Sequence, residues 1–278
     1  MTIDSHHHFW NYSAEEYGWI PEDVIRKDFG PAELKPLLEK AGVDGVISVQ
    51  ARTELKENDF LLKYADKSDW IKAVVGYVDL TKSDIAETLG KISAHKKMRA
   101  VREVLQGMDD DAYCLREDFN RGISLLHDFG LVYDILIFHR HLPNAIKFVD
   151  QHPNQIFVLD HVAKPEISTS TPDPAWAKNM AELAKRENVF CKISGMVTEI
   201  KDRDAWDIDL MQPYVDVVLD AFGPNRLMFG SDWPVCLLES EYVRWNSAVK
   251  KMISKLSTDE QAEILGGTAI RAYSIEQG

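Results

Sequence analysis

The chain opens with Thr2-Ile3-Asp4-Ser5-His6-His7-His8-Phe9-Trp10, a stretch typical of a buried strand that ends in metal-binding side chains. Side chains on a strand alternate between its two faces, so His6 and His8 lie on one side and His7 on the other. Two strand residues separate Cα atoms by roughly 6.6 Å, which lets both imidazoles converge on one metal ion. The stretch therefore predicts a His-x-His metal clamp, with a purification-tag remnant and a polar loop as the alternatives.

Seven further apolar runs rich in β-branched residues follow this strand, and an amphipathic helical stretch comes after each of the eight strands. The predicted strands are 43–51, 73–78, 100–105, 131–138, 156–160, 189–193 and 227–230. The predicted helices are 31–40, a stretch around 60–64, 82–96, 115–129, 142–150, 174–186, 210–222 and 242–256. Thr258 opens a final helix with capping-box spacing to Gln261.

Eight strand–helix units in series predict the α/β class and a closed (β/α)8 TIM-like barrel, formed by a single domain over residues 1–278. The strands are nearly continuously apolar, as expected for strands that are buried on both faces. The alternative is a doubly wound open sheet, which is disfavoured because no glycine-rich phosphate loop follows the first strand.

The composition indicates a globular protein and argues against two classes of function. Hydrophobic residues make up 45% of the chain and the net charge is −13, which disfavours a role in nucleic-acid binding. No apolar run approaches the roughly 18–20 residues of a membrane span, and the chain does not open with a signal-like segment. Three widely spaced cysteines, Cys114, Cys191 and Cys236, form no disulfide or zinc pattern, so we expect a cytoplasmic location.

Residue types that bind metals or substrates occur where the predicted strands end, which is the edge that carries the site in a (β/α)8 barrel. They are His6, His8, Arg52, Arg102, His139, His141, Asp160, His161, Lys164 and Asp232, with Trp10, Tyr113 and Trp233 as candidates to line the mouth of a pocket. Structural alternatives exist: His161 as a core histidine, Asp232 as a helix cap, and the cations as rim ion pairs or solvated charges. The concentration of such residues at several strand ends favours a functional site.

Several strings in the sequence resemble the amidohydrolase superfamily, and more narrowly its sugar-lactonase branch of L-fuconolactonase-like hydrolases. The strings are DSHHHFW (4–10), VQAR (49–52), VREVLQ (101–106), LDHVAKP (159–165), CKISG (191–195), FGSDWPV (229–235) and GGTA (266–269). Together they cover essentially the whole chain. The GSDWP and DHxxKP strings are fairly specific for the branch, whereas HxH alone marks only the superfamily.

This resemblance implies a barrel with its site at the strand ends and a divalent metal, expected to be zinc, held by His6, His8, His139 and Asp232. It implies that Asp232 activates the hydrolytic water and that His161 lies beside the water or the metal. It also implies that Arg52 and Lys164 contact the lactone or its carboxylate product. Further substrate contacts are expected from Arg102, His141, Trp10 and Trp233, and His141 is the alternative to His139 as the inward-facing histidine.

The resulting expectation is an enzyme that hydrolyses a sugar-acid 1,4-lactone, such as L-fucono- or L-galactono-1,4-lactone, to the aldonate. Asp232 would take a proton from water as the general base and pass it to the ring oxygen as the general acid. The alternatives are a metal-dependent decarboxylase or amide hydrolase on the same scaffold, and a non-catalytic sugar-acid-binding protein. The expected partner is the small-molecule lactone, with no nucleic acid or membrane, and the sequence leaves monomer and homodimer open.

Overall fold

The computed structural model describes residues 1–21, 23–201 and 206–276. Its centre is an eight-stranded parallel sheet whose strand order follows the sequence. The strands are β1 (Ile3–His7), β2 (Gly45–Val49), β3 (Ile71–Gly76), β4 (Met98–Glu103), β5 (Val132–Ile135), β6 (Phe157–Leu159), β7 (Val189–Ile193) and β8 (Leu227–Phe229).

The sheet closes where its first and last strands meet, just beyond the end of β8. The amide of His8 donates to the carbonyl oxygen of Trp233 at 2.6 Å, and the amide of Asp232 donates to that of His6 at 2.8 Å. His7 and Trp233 form a parallel bridge at the same place. The predicted (β/α)8 barrel is therefore confirmed, and the open doubly wound sheet is excluded because its strand order would not follow the sequence.

Helices follow the strands and cover the outside of the barrel. They are α1 (Pro31–Ala41), α2 (Lys56–Asp66), α3 (Ile85–Ser93), α4 (Glu117–Leu126), α5 (Leu142–Asp150), α6 (Pro174–Leu183), α7 (Ile208–Phe222) and α8 (Tyr242–Met252), followed by two short helices, α9 (Thr258–Ala262) and α10 (Thr268–Ala272). Within the described ranges, no helix has the length and apolar character needed to cross a membrane.

The fifth strand is shorter than expected and ends at Ile135, because its neighbour β6 offers no pairing beyond Leu159.

The start of α9 corrects one expectation. The N-cap is Ser257 rather than Thr258: the Ser257 hydroxyl accepts from the Glu260 amide, and the Glu260 carboxylate accepts from the Ser257 amide. The backbone of Ser257 is extended, as a cap requires, whereas Thr258 is already the first helical residue. The capping box therefore lies one position earlier than the sequence spacing suggested.

Two apolar layers hold the barrel together, one outside the strands and one inside them. The outer layer packs the strands against the helices through residues such as Leu34, Leu61 and Leu89. The inner layer combines strand residues with α10 and the turn that follows it, which contribute Ile270 and Tyr273. Burying one large apolar side chain contributes about 1.5–3 kcal/mol. Because this interior is filled, the carboxyl ends of the strands are the place left for a ligand.

Candidate active site

Three side chains from the two strands that close the barrel form a candidate metal site. His6 and His8 come from the end of β1, and Asp232 follows β8. The Nε2 atoms of the two histidines are 3.2 Å apart, and the Asp232 Oδ1 atom lies 3.7 Å from His6 and 3.4 Å from His8. Ligand atoms that bind zinc tetrahedrally at about 2.0–2.1 Å are about 3.3 Å from one another, so these three atoms fit a single ion.

Hydrogen bonds on the far side of the imidazoles fix their orientation. The Nδ1 atom of His8 lies 2.9 Å from the Val49 carbonyl oxygen and donates to it, which leaves Nε2 as the metal-binding atom. Burial lowers the pKa of His6 well below its ordinary value, so its imidazole is neutral and able to bind a cation. His7 points the other way, and its Nε2 atom lies 2.9 Å from the Ser48 hydroxyl.

A left-handed backbone conformation aims the Asp232 carboxylate at the imidazoles. The φ angle of Asp232 is +57°, a region in which a residue other than glycine is strained. Burial alone would raise the pKa of Asp232, but attraction to His161 and a hydrogen bond from His8 outweigh it and hold the pKa well below its usual range. The N-cap of the short 3-10 helix that follows is Pro234, so the helix-cap alternative does not describe Asp232.

His161 joins this cluster from the end of β6. It begins a run of four residues, 161–164, that all have φ between 47° and 59°. Its Nδ1 atom lies 2.9 Å from the Ser194 hydroxyl, while its Nε2 atom faces Asp232 Oδ1 at 4.0 Å. Gly195 makes room for the ring, because a Cβ there would lie 2.5 Å from the His161 Nδ1 atom. Burial lowers the pKa of His161 to about 4, so the imidazole is neutral near pH 7.

A second group of potential ligands consists of His6, Asp160 and His161. Asp160 is already committed to two cations: it accepts from Arg102 Nη1 at 2.9 Å, and its other oxygen lies 2.9 Å from the Lys192 ammonium. A carboxylate held in this way serves better as a support for His6 Nδ1, which is 3.3 Å away, than as a metal ligand. The group that contains Asp232 is therefore the better candidate metal site.

Charged residues inside the barrel were missed by the sequence reasoning. Lys192 on β7 and Asp134 on β5 are fully buried and lie 2.6 Å apart, and the Tyr273 hydroxyl donates to Asp134 at 2.8 Å. The available signal was one charge in each of the apolar runs VFCKI and LVYDILIF. A strand that is buried on both faces carries a charge only where a partner compensates for the lost water.

The cluster borders a cavity of about 610 Å³ at the carboxyl ends of the strands. His8, His161 and Asp232 belong to its wall. The wall also carries charges of both signs, from Glu16, Arg52, Glu54, Asp79, Arg102, Glu103 and Lys164. The volume is typical of small-molecule sites, and the mixture of charges suits a polar ligand with many hydrogen-bonding groups.

Two of the predicted substrate-binding cations, Arg52 and Lys164, line the cavity together with the third, Arg102. Each also has an acidic partner, as the rim ion-pair alternative expected for the two arginines. Arg52 donates to Glu57 and to Glu16 at 2.7 Å each. Lys164 Nζ lies 3.6 Å from the Glu199 carboxylate. The acidic partners hold both cations in place at the cavity wall.

Of the three aromatic residues predicted at the pocket mouth, Tyr113 lines the cavity, whereas Trp10 and Trp233 lie in the core instead. Trp10 and Trp233 are buried, and both rings pack edge-on against Phe29. The physical reason is that β1 ends at His7, after which Trp10 pairs with Phe29 in an antiparallel bridge. The ring of Trp10 stacks beside that of His8, with the ring centroids 6.5 Å apart, but neither Trp10 nor Trp233 belongs to the cavity wall.

The two histidines predicted after the fifth strand lie apart from the metal-binding cluster. The Nδ1 atom of His139 lies 3.1 Å from the Lys164 carbonyl oxygen, and the Nε2 atom of His141 lies 2.7 Å from Asp111. Among the described residues, the ligand groups and the cavity wall include neither histidine. The structure thus brings together His6, His8, His161 and Asp232 but not the ligand expected from the fifth strand.

A barrel with this cluster at its carboxyl end is typical of metal-dependent hydrolases, and the chain belongs to the amidohydrolase family, whose family model matches residues 3–275. A protein named L-fucono-1,5-lactonase from Burkholderia multivorans is 40% identical over all of this chain and 97% of its own length. One of the same name from Burkholderia ambifaria is 35% identical over all of this chain and 97% of its own length. The resemblance inferred from the sequence strings is confirmed.

Solved structures give the same result for the fold. A crystal structure of an amidohydrolase from Burkholderia multivorans with bound zinc has a TM-score of 0.95 and 39% identity, over 99% of this chain and 100% of that chain. Amidohydrolase 2 from Bifidobacterium longum subsp. infantis has a TM-score of 0.74 and 23% identity, over 99% of both chains. The expectation of a hydrolytic enzyme on this scaffold is confirmed at the level of the family.

Proposed function

We propose that this protein is a lactonase that hydrolyses the cyclic ester of a sugar acid to the open hydroxy acid. The observation that carries the proposal is the cluster of His6, His8, His161 and Asp232 beside the cavity, in a chain that resembles named L-fucono-1,5-lactonases along its whole length. Ester hydrolysis requires an activated water, a polarised carbonyl group and a proton for the departing alkoxide. The residues around the cavity offer a group for each requirement.

The ligand atoms of His6, His8 and Asp232 fit a divalent metal, and we propose zinc. Two imidazoles and one carboxylate are a donor set that zinc prefers, and it leaves a coordination position open. The relative that is 39% identical was solved with bound zinc, which supports this choice. When bound there, the metal supplies a Lewis acid that polarises the oxygen atoms of water and lactone.

Asp232 takes the proton of the attacking water and later gives it to the ring oxygen that leaves. The Oδ1 atom of Asp232 makes the nearest approach to all three imidazoles, so Oδ2 is the oxygen left to receive the proton. Because the pKa of Asp232 is held low, the carboxylate is ready as an acceptor at neutral pH. His161 directs its Nε2 atom toward the same place, since its Nδ1 atom faces Ser194.

Arg52 and Lys164 stabilise the negative charge that develops on the substrate and then bind the carboxylate of the product. Both are in the cavity wall, and ion pairs with Glu57 and Glu199 restrict their side chains there. In other enzymes, the loss of one such donor costs roughly 2.7–4 kcal/mol of transition-state stabilisation. Arg102 also lines the cavity, where Asp160 and Gln50 accept from its guanidinium.

The names of the relatives change the ring size that we expect for the lactone. We expected a 1,4-lactone, whereas the two relatives that match over the full chain are named for the 1,5-lactone of L-fuconic acid. A protein named L-rhamnono-gamma-lactonase from Scheffersomyces stipitis is 26% identical and matches only 56% of this chain. We therefore propose the 1,5-lactone of a 6-deoxy sugar acid as the preferred substrate, with 1,4-lactones as slower ones.

A pH-indicator assay against a panel of sugar lactones tests the proposal. The panel contains the 1,4- and 1,5-lactones of L-fuconic and L-galactonic acids, and acid release is recorded above the uncatalysed rate. The assay is repeated after treatment with a chelator and again after zinc is restored. We expect the fastest release from L-fucono-1,5-lactone, a loss of rate on chelation and a recovery with zinc.

Two carboxylate variants test the role of Asp232. We expect Asp232→Asn to lose about 10²–10⁴-fold in rate, since an amide cannot accept the proton. The matched control is Asp216→Asn, which changes an exposed carboxylate on α7 and leaves the rate unchanged. An Asp232→Asn protein that keeps most of its activity would contradict the assigned role.

Release of CO2 or an amine from other substrates, with no acid from any lactone, would favour the decarboxylase or amide hydrolase instead.

A further inference from the structure

An exposed tryptophan forms part of the cavity wall. Trp19 lies in the loop between β1 and α1 and leaves 48% of its surface exposed. The other large apolar side chains with comparable exposure in the described ranges are Met1, Val24 and Leu55, and none of these lines the cavity. Trp19 differs from these three residues because its apolar surface lines the same cavity as the candidate catalytic residues.

Two contacts hold the ring of Trp19 in position. Its Nε1 atom donates to the Ala51 carbonyl oxygen at 3.0 Å. Its ring stands edge-on to that of Trp10, with the ring centroids 5.7 Å apart and the planes at 86°. Trp10 is anchored in turn, because its Nε1 atom donates to the Lys27 carbonyl oxygen at 2.8 Å. Since its only polar hydrogen is already used, Trp19 offers a ligand nothing but the apolar surface of the ring.

Polar side chains accompany Trp19 in this part of the wall. Gln50, Glu16 and Arg52 line the cavity with it, and Arg52 is bound to Glu16. A ligand placed here meets one apolar plane among groups that form hydrogen bonds. A sugar lactone has the matching character, with hydroxyl groups around its ring and C–H groups on one face.

We propose that Trp19 is a specificity-determining residue that packs against the C–H face and the C6 group of the lactone. This inference rests on the proposed lactonase function and names the part of the substrate that the site selects. The lactones of L-fuconic and L-galactonic acids differ at C6, which is a methyl group in the first and a hydroxymethyl group in the second. An indole without a free donor favours the methyl group, because a hydroxyl group pressed against it loses hydrogen bonds to water.

Kinetics of two Trp19 variants test this role. We expect Trp19→Leu to raise the KM for L-fucono-1,5-lactone roughly tenfold and to leave kcat within about twofold, since the ring contact exists equally in the ground and transition states. Trp19→Phe keeps an aromatic surface and restores most of the affinity. We also expect Trp19→Leu to lower the preference for L-fucono- over L-galactono-1,5-lactone, measured as the ratio of their kcat/KM values.

Trp70→Leu is the matched control, because Trp70 does not belong to the cavity wall and its ring packs near Lys35 and Phe9. It is expected to leave KM unchanged, and circular dichroism verifies that all variants are folded. An unchanged KM in Trp19→Leu, or an unchanged ratio between the two lactones, overturns the proposal. Either result would indicate that the exposed ring serves another contact, such as one between copies of the chain.

The wild-type protein in the same assay separates this inference from the function on which it rests. If the wild type releases acid from L-fucono-1,5-lactone and Trp19→Leu behaves like it, only the role of Trp19 is refuted. If the wild type releases no acid from any lactone, the proposed function fails and the role of Trp19 fails with it.

Discussion

At the scale of single residues, an ammonium group enclosed in the barrel interior supports the candidate metal site. Lys192 Nζ lies 2.6 Å from Asp134 and 2.9 Å from Asp160, and all three side chains are fully buried. The same ammonium lies 3.2 Å from His6 Nδ1, and Asp160 lies 3.3 Å from that atom. The buried ions therefore restrict the orientation of a proposed metal ligand from the side opposite the cavity.

Replacing this lysine by methionine tests how much the barrel depends on the buried charge. Lys192→Met keeps much of the side-chain volume but leaves two carboxylates without their shared cation, so we expect a loss of about 3–5 kcal/mol in the free energy of unfolding. Urea unfolding followed by circular dichroism measures the loss. The control is Lys91→Met, which removes an exposed pair with Glu87 on α3 and is expected to leave the free energy of unfolding nearly unchanged, because water screens that pair. A Lys192→Met protein as stable as this control would mean that the interior carboxylates are not charged.

A second prediction at this scale concerns His7, the histidine that points away from the cavity. Burial lowers the pKa of His7 to about 3, against 6.5 for an ordinary histidine. Between these values the unfolded chain binds a proton that the folded chain does not bind. Above about pH 6.5, His7 therefore does not lower the free energy of unfolding. As the pH drops from there toward 3, this one group lowers the free energy of unfolding by about 1.4 kcal/mol per pH unit.

Comparison of the wild type with His7→Gln isolates this effect, because all other groups titrate alike in both proteins. We expect the free energy of unfolding of the wild type to decline more steeply between pH 6 and pH 4, by about 1.4 kcal/mol per pH unit. The difference between the two proteins at pH 8 reports the lost packing and the lost contact with Ser48 alone. Parallel stability curves from pH 8 to pH 4 would show that the pKa of His7 is the same in the folded and the unfolded protein.

The residue scale also shows how far sequence reasoning reaches into the site. His6 and His8 could be placed together because the period of a strand decides which face each side chain takes. Trp10 has the same spacing and its ring stacks beside that of His8, but the chain leaves the sheet before it and pairs with Phe29, so the indole is buried in the core. Trp19 lies in a loop, where no periodicity relates position to direction, so its place in the cavity wall could not be read from spacing.

At the scale of elements, the eight strands and their helices were predictable because apolar runs and amphipathic stretches alternate along the chain. Strand ends were less predictable, since a strand ends where its neighbour stops pairing, as β5 does at Ile135. The left-handed run 161–164 had no signal at all, because these residues are not glycines. Tertiary contacts around the His161 ring impose that conformation, including the close approach of Gly195.

Two helix glycines give a test of packing at this scale. A Cβ at Gly122 in α4 would lie 2.2 Å from the Leu80 carbonyl oxygen, whereas one at Gly90 in α3 would meet only the Phe129 ring at 3.6 Å. Alanine favours a helix over glycine by ~1 kcal/mol, and an overfilled site costs about 1–3 kcal/mol. In urea unfolding, we expect Gly90→Ala to gain stability and Gly122→Ala to lose it. Equal gains in both variants would show that α4 can shift away from the loop after β3.

At the scale of the whole molecule, the candidate metal site lies on the seam that closes the barrel. His6 and His8 belong to the first strand, and Asp232 follows the last, so the three ligands come from the two ends of the sheet. The seam holds fewer backbone hydrogen bonds than an ordinary strand pair and depends on contacts around His7 and Trp233. An ion bound by these three side chains would link the first and last strands and so oppose global unfolding.

Thermal unfolding with and without metal tests this link independently of catalysis. An ion that binds only the folded chain adds about 2.7 kcal/mol at a concentration one hundred times its Kd, which corresponds to a rise in Tm on the order of 5 °C. We expect zinc to produce such a rise after chelator treatment of the wild type, and His8→Gln to abolish it because one of the three ligands is lost. His95→Gln, which changes a histidine paired with Asp66 outside the cavity, is expected to keep the full rise. A zinc-dependent rise that survives in His8→Gln would place the ion elsewhere in the protein, and the absence of any rise in the wild type would remove the metal from the seam.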